Sequence, residues 1–205
     1  MKPEIRCDVI NGGAYTYING VKGCLRNTDT QIITDCAKTM SFGGKYVEIG
    51  SWLGCSALLV GFHCPGRCKV YCHDLWEDEL PPDSNPPPVE ENVLYKFHKN
   101  IMDNDMDGII TPVRGDSSTM LAIHEDKSID LAFVDGDHSY DGVMKDLVAL
   151  YPKMKPQSSI LCHDSGEGSE ALRALVDFCN SNNIRDVRGF NNTDMKMIII
   201  DVPIS

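Results

Sequence analysis

The sequence lacks the features that mark several classes of protein. No run of Lys or Arg could follow a phosphate backbone, and 30 acidic residues outnumber 19 basic ones, giving a formal net charge of −11. This balance predicts no nucleic-acid partner. The longest apolar runs, Ala57–Phe62 and Met197–Ile200, are far shorter than the roughly 20 residues that span a bilayer, so no membrane partner is expected either.

An apolar leader and a regular cysteine framework are also missing. Residues Met1–Arg6 contain no apolar core of a signal peptide, so we expect a cytoplasmic protein. Nine cysteines are scattered and odd in number, which predicts reduced, partly buried thiols rather than disulfide bonds. A zinc site between His63 and His73 is disfavoured, because Cys68 and Cys72 flank a short strand that separates them by about 13 Å.

Length and pattern predict a single α/β domain. The 205 residues have ordinary globular composition and suit one core. Short β-branched strands alternate with stretches of helical spacing, which predicts a parallel sheet covered by helices on both faces. Two last strands, joined by a turn-rich link at 191–194, predict an antiparallel hairpin at one side. The expected strands are 46–49, 69–73, 109–113, 130–134, 159–162, 186–190 and 196–201, with helices near 28–40, 56–62, 89–102, 118–124, 140–151 and 169–180.

Two segments stand outside this alternation. Residues 1–27 precede the first helix, which Thr28 is expected to open as a capping residue, and we expect this segment to cover substrate or cofactor. Residues 28–205 form the main domain. Segment Leu75–Pro88 is too rich in proline for a helix interior or a central strand. It is interpreted as either a solvated connector or a lid over the site.

A glycine turn follows the first long strand, in the order Glu48-Ile49-Gly50-Ser51-Trp52-Leu53-Gly54-Cys55-Ser56. Glycine lets the chain turn sharply at a strand end, and the free N–H groups of the next helix can hold a polar ligand group. Taken alone, the two glycines are equally well explained by helix–strand packing.

Acidic residues recur where successive strands end. Asp74 follows the second strand and could accept hydrogen bonds from both hydroxyls of a ribose. Asp116 and Ser117 follow the third strand. Each acid alone could be a helix cap, but their recurrence favours a ligand-binding edge, because open α/β sheets bind ligands at the carboxyl ends of their strands.

At these residues the sequence resembles the class I S-adenosylmethionine-dependent methyltransferases, from about Leu25 to the C-terminus. The glycine turn is similar to their first motif in its O-methyltransferase form, and Asp74 and Asp116 fall at the ribose and adenine contacts. The most specific stretch, Asp130–Val143 with Asp146-Leu147 and Ile160–Asp164, is similar to the metal-dependent macrocin and mycinamicin sugar O-methyltransferases. The resemblance implies a Rossmann-like, seven-stranded, mostly parallel sheet and S-adenosylmethionine contacts at Glu48, Gly50, Ser51, Trp52, Ser56, Asp74, Asp116, Ser117 and Asp135.

A metal site is expected at the fourth and fifth long strands. Asp135 and Asp164 end neighbouring strands about 4.8 Å apart, so both carboxylates can bind one hard cation such as Mg²⁺. His163 is a further candidate ligand. The resembling sugar enzymes carry an acidic pair where this chain has His163-Asp164, so a softer divalent ion such as Mn²⁺, or no metal at all, stays open beside Mg²⁺.

We expect His138 to be the general base, with Asp137 as the second candidate. An imidazole of near-neutral pKa just beyond Asp135 could take the proton of an acceptor hydroxyl. A purely structural explanation of the same residues is a turn stabilised by aspartates and a helix cap at Ser139. The acceptor is expected to be a small hydroxylated molecule, sugar-like or a diol, and a homo-oligomer stays open.

Three other functions compete with methyl transfer. A nicotinamide-dependent oxidoreductase would need a second glycine where Trp52 stands. A non-heme iron oxygenase could use Asp135, His138 and His163, but leaves the acids at the other strand ends unexplained. A non-catalytic nucleoside-binding module of the same fold would bind the cofactor without turnover.

Overall fold

The computed structural model describes residues 2–10, 13–77, 92–189 and 197–204. These residues form two sheets and six α-helices, with short 3₁₀ turns at Leu121–Ile123 and Tyr151–Lys153. The elements are β1 (Ile5–Ile10), β2 (Gly13–Ile18), β3 (Val21–Gly23), α1 (Asn27–Thr39), β4 (Lys45–Ile49), α2 (Cys55–His63), β5 (Lys69–Asp74), α3 (Val93–Asp103), β6 (Ile110–Arg114), α4 (Ser117–Met120), β7 (Ile129–Val134), α5 (Tyr140–Leu150), β8 (Met154–Cys162), α6 (Glu170–Ser181), β9 (Val187–Gly189) and β10 (Ile198–Asp201).

The main sheet has seven strands in the order β6-β5-β4-β7-β8-β10-β9. Strands β6, β5, β4, β7 and β8 are parallel, whereas β10 is antiparallel to both β8 and β9. The prediction of a mostly parallel, Rossmann-like sheet with a C-terminal antiparallel hairpin is confirmed. The link at 191–194 and the start of the helix expected at 89–102 lie outside the described residues.

Helices cover both faces of this sheet. Tyr46 and Val47, adjacent in β4, are fully buried in two different hydrophobic clusters. The first cluster includes Leu58 of α2, and the second includes Leu147 of α5. This arrangement follows from strand geometry, because successive side chains point to opposite faces. Among the described residues, no helix combines the length and apolar character needed to cross a membrane.

The N-terminal segment contains an unexpected three-stranded antiparallel sheet, β1-β2-β3. Its β2–β3 turn is Asn19-Gly20, and both residues have positive φ, 49° and 84°. That pair is a strong hairpin signal, because two-residue turns need φ above zero at both positions.

The expected start of α1 is also wrong. The helix begins at Asn27 after the capping residue Arg26, so Thr28 lies inside it. Asp29 closes this helix end by accepting a hydrogen bond from the Arg26 backbone N–H at 2.8 Å.

One cysteine pair contradicts the expectation of reduced thiols. Cys64 and Cys68 form a disulfide, with their Cα atoms 6.4 Å apart. The intervening Pro65 and Gly66 make a turn between α2 and β5 in which Gly66 has a φ of 71°, and this turn brings the two thiols together. The other seven cysteines are free.

Candidate active site

A cavity of about 350 Å³ opens at the carboxyl ends of β4, β5, β6, β7 and β8. Ligand binding at this edge is the general behaviour of open α/β sheets. All but one of the residues predicted from the sequence line this single cavity: Gly50, Ser51, Trp52, Ser56, Asp74, Asp116, Ser117, Asp135, Asp137, His138, His163 and Asp164.

Strand order arranges these residues in two groups. Asp116 and Gly50 follow β6 and β4, Asp74 is the last residue of β5, and we call this part the donor half. Asp135 and Asp164 follow β7 and β8, and we call this part the acceptor half. The donor half and the acceptor half lie side by side, because β4 and β7 are neighbouring strands about 4.8 Å apart.

Gly50 sits where the two halves meet, and only glycine fits there. Its φ is 85°, and a Cβ atom at this position would lie 2.1 Å from the backbone oxygen of Asp135. Its N–H donates to the His73 carbonyl at 2.9 Å. The strand end therefore turns sharply against the neighbouring strand, as the sequence predicted.

Glu48 is the predicted site residue that does not line the cavity. Its side chain is fully buried and accepts a hydrogen bond from the Tyr46 hydroxyl at 2.8 Å. Burial raises the pKa of Glu48 to about 7, although the hydroxyls of Ser56, Tyr46 and Ser51 oppose this shift. The carboxyl group thus lies behind the cavity wall.

Asp74 clamps the donor half. Its Oδ2 accepts from the Trp52 N–H at 2.8 Å, and its Oδ1 accepts from the Trp76 N–H at 2.7 Å. The buried Trp76 ring closes the loop, because its Nε1–H donates to the Trp52 carbonyl at 2.9 Å. Each carboxylate oxygen has a second lone pair, so Asp74 keeps acceptor capacity for a ligand hydroxyl.

Asp116 is exposed and pairs with Lys145 and Ser118. The hydrogen bond from Lys145 is the main reason why its pKa falls to about 2. Beside it, Ser117 donates a hydrogen bond to Asp146, a buried cavity residue for which the sequence analysis assigned no role. Burial raises the pKa of Asp146 to about 6. Asp146 lies one helical turn after Gly142 on α5, and both residues line the cavity. Helical spacing could therefore have predicted that Asp146 points inward.

The acceptor half contains a compact group of two carboxylates and an imidazole. One ligand atom from each of Asp135, His138 and Asp164 lies within 4.8 Å of the others. His138 Nε2 is 3.5 Å from Asp135 Oδ1, and its Nδ1 is 3.6 Å from Asp164 Oδ2. The hydrogen bond to Asp135 raises the pKa of His138 above its usual value. This donor set fits a divalent cation.

His163 lies beneath this group and is not part of it. Its Nδ1 is 3.0 Å from Asp135 Oδ1, and its Nε2 is 3.3 Å from Asp29 Oδ2. Burial alone would lower the pKa of His163, but Asp135, Asp164 and Asp29 raise it well above its usual value. The Asp29 contact was not predicted, because 134 residues separate the two side chains.

Asp137, the second candidate base, is exposed and also supports a turn. Its two carboxylate oxygens accept from the Ser139 N–H and hydroxyl, both at 2.9 Å. Ser139 in turn caps α5 by accepting from the Gly142 N–H at 3.1 Å. The turn-and-cap explanation of this segment therefore holds for Asp137 and Ser139, whereas His138 takes no part in it.

Comparison with known proteins gives the family. The model of a methyltransferase domain matches residues 47–165, more than half of the chain and nearly all of the residues that line the cavity. The chain therefore belongs to this methyltransferase family. No curated protein matches the sequence.

Solved structures share the fold at low sequence identity. The O-methyltransferase NovP superposes with a TM-score of 0.69 at 18% identity, over 90% of this chain and 83% of NovP. TomG from Streptomyces achromogenes, solved with SAM, gives 0.64 at 11% identity over 87% and 81%. An O-methyltransferase from Bacillus cereus, solved with SAH, gives 0.62 at 10% identity over 86% and 82%.

Proposed function

We propose that this methyltransferase transfers the methyl group of S-adenosylmethionine to a hydroxyl of a small sugar-like or diol acceptor. The observation that carries the proposal is the division of one cavity into a donor half with a ribose-competent carboxylate and an acceptor half with a proton-accepting group. The three similar structures, from NovP, TomG and the Bacillus cereus protein, are all O-methyltransferases and support the same chemistry.

In the donor half, Asp74 is assigned to the ribose hydroxyls. Its position is fixed by the Trp52 and Trp76 backbone N–H groups, so no side-chain ordering is required when the ligand binds. Ser117 and Asp116 lie further along the same edge and are assigned to the adenine side. Gly50, Ser51, Trp52 and Ser56 line the turn that would face the methionine part.

In the acceptor half, His138 is assigned to take the hydroxyl proton. Its ring lies between the Asp135 and Asp164 carboxylates, which would stabilise the imidazolium that forms. Asp137 is the second candidate, but both of its oxygens already accept hydrogen bonds from Ser139.

A divalent ion, Mg²⁺ or Mn²⁺, fits this half. Asp135 and Asp164 would hold it, with His163 as a further candidate donor, because His163 Nδ1 lies 3.0 Å from Asp135 Oδ1 and 3.6 Å from Asp164 Oδ2. A bound ion would lower the pKa of the acceptor hydroxyl. The N-terminal segment would then cover the acceptor, because Gly23, Cys24 and Leu25 already line the cavity.

The test is transfer of a labelled methyl group from S-adenosylmethionine to a panel of sugars and vicinal diols, with their O-methylated counterparts as matched controls. We expect labelled methyl ethers from the free hydroxyls and none from the blocked compounds. Parallel reactions with Mg²⁺, Mn²⁺ or a chelator decide whether the metal takes part. Binding of S-adenosylhomocysteine without any turnover would favour a non-catalytic module, and nicotinamide turnover would favour an oxidoreductase.

A further inference from the structure

Asp29 is a buried carboxylate for which the proposed reaction has no role. It lies in the first turn of α1 with 1% of its surface exposed, and it does not line the cavity. Closing the end of a helix does not require burial, because exposed carboxylates do this equally well. Taking a charge out of water is costly unless a partner compensates for it, so the burial of Asp29 needs a further explanation.

The partner is His163. Asp29 Oδ2 lies 3.3 Å from His163 Nε2, and the same oxygen accepts from the Arg26 N–H at 2.8 Å. The other oxygen, Oδ1, has no hydrogen-bond partner among the described residues. Within the described part of the chain, the polar contacts of this carboxylate therefore pass through Oδ2, which joins the start of α1 to His163 beneath the acceptor half.

His163 transmits this contact to the site. Its second nitrogen, Nδ1, lies 3.0 Å from Asp135 Oδ1 and 3.6 Å from Asp164 Oδ2. An imidazole with a carboxylate at each nitrogen has a fixed ring orientation, and such outer partners orient the groups that contact a ligand. The Phe133 ring packs edge-on against the imidazole with centroids 5.9 Å apart, which restrains it from the side.

We infer that Asp29 is a positioning residue for methyl transfer. Asp29 accepts a hydrogen bond from His163 Nε2 and so holds Nδ1 against Asp135, which keeps the acceptor-side carboxylates in place. The inference rests on the proposed function. It gives the first turn of α1 a role in catalysis. It also predicts that substitution of Asp29 affects the acceptor half alone.

The first test compares Asp29→Ala with Asp29→Asn and with Asp35→Asn, an exposed carboxylate on the same helix that pairs with Lys38. Misplacing a reacting group by about 1 Å can cost roughly 100-fold in rate, so Asp29→Ala should lower kcat by about 10–100-fold. The affinity for S-adenosylhomocysteine should stay unchanged. Asp29→Asn keeps an oxygen acceptor and should recover most of the rate, and Asp35→Asn should match the wild type.

A double-mutant cycle separates positioning from a general loss of structure. If Asp29 acts through His163, Asp29→Ala should lower kcat no further in a His163→Gln background. Additive losses in the double variant, or a wild-type kcat in Asp29→Ala, would overturn the inference. An inactive wild type would instead count against the proposed function, so the two failures are distinguishable.

Nitrogen-15 NMR of the histidine rings tests the same contact in the wild-type protein. Its result does not depend on whether a substituted protein folds. We expect a proton on His163 Nε2 that exchanges slowly and shows cross-relaxation to the Arg26 amide. An Nε2 without a proton would overturn the inference, whatever the activity of the enzyme.

Discussion

The two halves of the cavity use histidine in opposite ways. In the acceptor half, His138 and His163 face carboxylates, which raise their pKa values. Beneath the donor half, His73 of β5 faces another histidine, His124, at 3.0 Å between their Nε2 atoms. Burial is the main cause that lowers the pKa of each of these two to about 4. We therefore propose that the first pair takes part in proton transfer and its positioning, whereas the second pair serves packing.

The largest effect should come from removing the proposed base. General-base assistance contributes about 100-fold to 10,000-fold, so His138→Ala should lower kcat by that order. The affinity for S-adenosylhomocysteine should stay near the wild-type value, because His138 belongs to the acceptor half. Steady-state kinetics and calorimetry measure the two quantities.

His98→Ala, on the exposed face of α3, is the matched control for this substitution and should behave as wild type. Unchanged turnover in His138→Ala combined with a large loss in Asp137→Asn would move the base role to Asp137. If neither variant loses turnover, the hydroxyl proton passes to solvent, and a bound metal that lowers the pKa of the hydroxyl would be sufficient activation.

The histidine pair of the donor half should affect stability and not catalysis. Both pKa values lie near 4 in the folded protein and near 6.5 when unfolded, so unfolded chains bind more protons between these limits. The contribution of the neutral histidine pair to the free energy of unfolding is complete above pH 6.5 and is lost as the pH falls through about 4. For one histidine, a pKa lowered from 6.5 to about 4 corresponds to about 3 kcal/mol of folding stability.

Urea unfolding at pH 7 and at pH 4.5 measures this loss directly. Replacing the pair with His73→Gln and His124→Gln should flatten the dependence of stability on pH. A double variant with the same pH dependence as the wild type would show that other groups cause the acid sensitivity.

Asp74 tests whether the donor half binds the cofactor as proposed. Hydrogen bonds to charged groups contribute about 1.5–3 kcal/mol, so Asp74→Ala should weaken S-adenosylhomocysteine binding by roughly 10-fold to 150-fold. The substitution also removes two contacts to backbone N–H groups. Thermal unfolding without ligand therefore has to accompany the titration, and an unchanged affinity would remove Asp74 from the ribose site.

The smallest effect concerns the turn between the proposed base and α5. Ser139→Ala removes a helix cap and should cost about 1 kcal/mol of folding stability. Ser169→Ala is its match, because Ser169 caps α6 by accepting from the Leu172 N–H at 3.1 Å, away from the cavity. Equal stability losses with near wild-type kcat in both variants would support a structural role for this turn. A selective loss of kcat in Ser139→Ala would draw the turn into the reaction.

Much of the fold could be predicted because local patterns and topology agree. Strands such as β4 end in glycine or aspartate and precede helices, and crossover rules then place them in one parallel sheet. The N-terminal sheet was missed although the Asn19-Gly20 turn and the alternation of apolar and charged residues in β1 carried its signal, because these strands are not separated by helices and so fall outside the β-then-α order of the main sheet. The Cys64–Cys68 disulfide was missed because counting cysteines says nothing about a turn at Pro65-Gly66.

The candidate site likewise contains some residues that the sequence could predict and others that it could not. Asp74, Asp135 and Asp164 could be found because a strand end fixes where each side chain goes. Asp29 could not, because its proposed role depends on a contact with His163, and tertiary packing brings together these two residues, which are 134 positions apart. Glu48 was placed in the cavity by analogy of motif, whereas its side chain points into the core toward Tyr46. Tertiary packing decides where these two side chains point, and a local sequence pattern does not reveal that packing.

The central claim is that one cavity binds the cofactor in its donor half and activates the acceptor in the other. Isothermal titration of the wild type and His138→Ala with S-adenosylhomocysteine, each with and without divalent metal, tests it most directly. We expect saturable binding at one site per chain, with similar affinity in both proteins. The absence of binding to the wild type, or binding that disappears in His138→Ala, would contradict it.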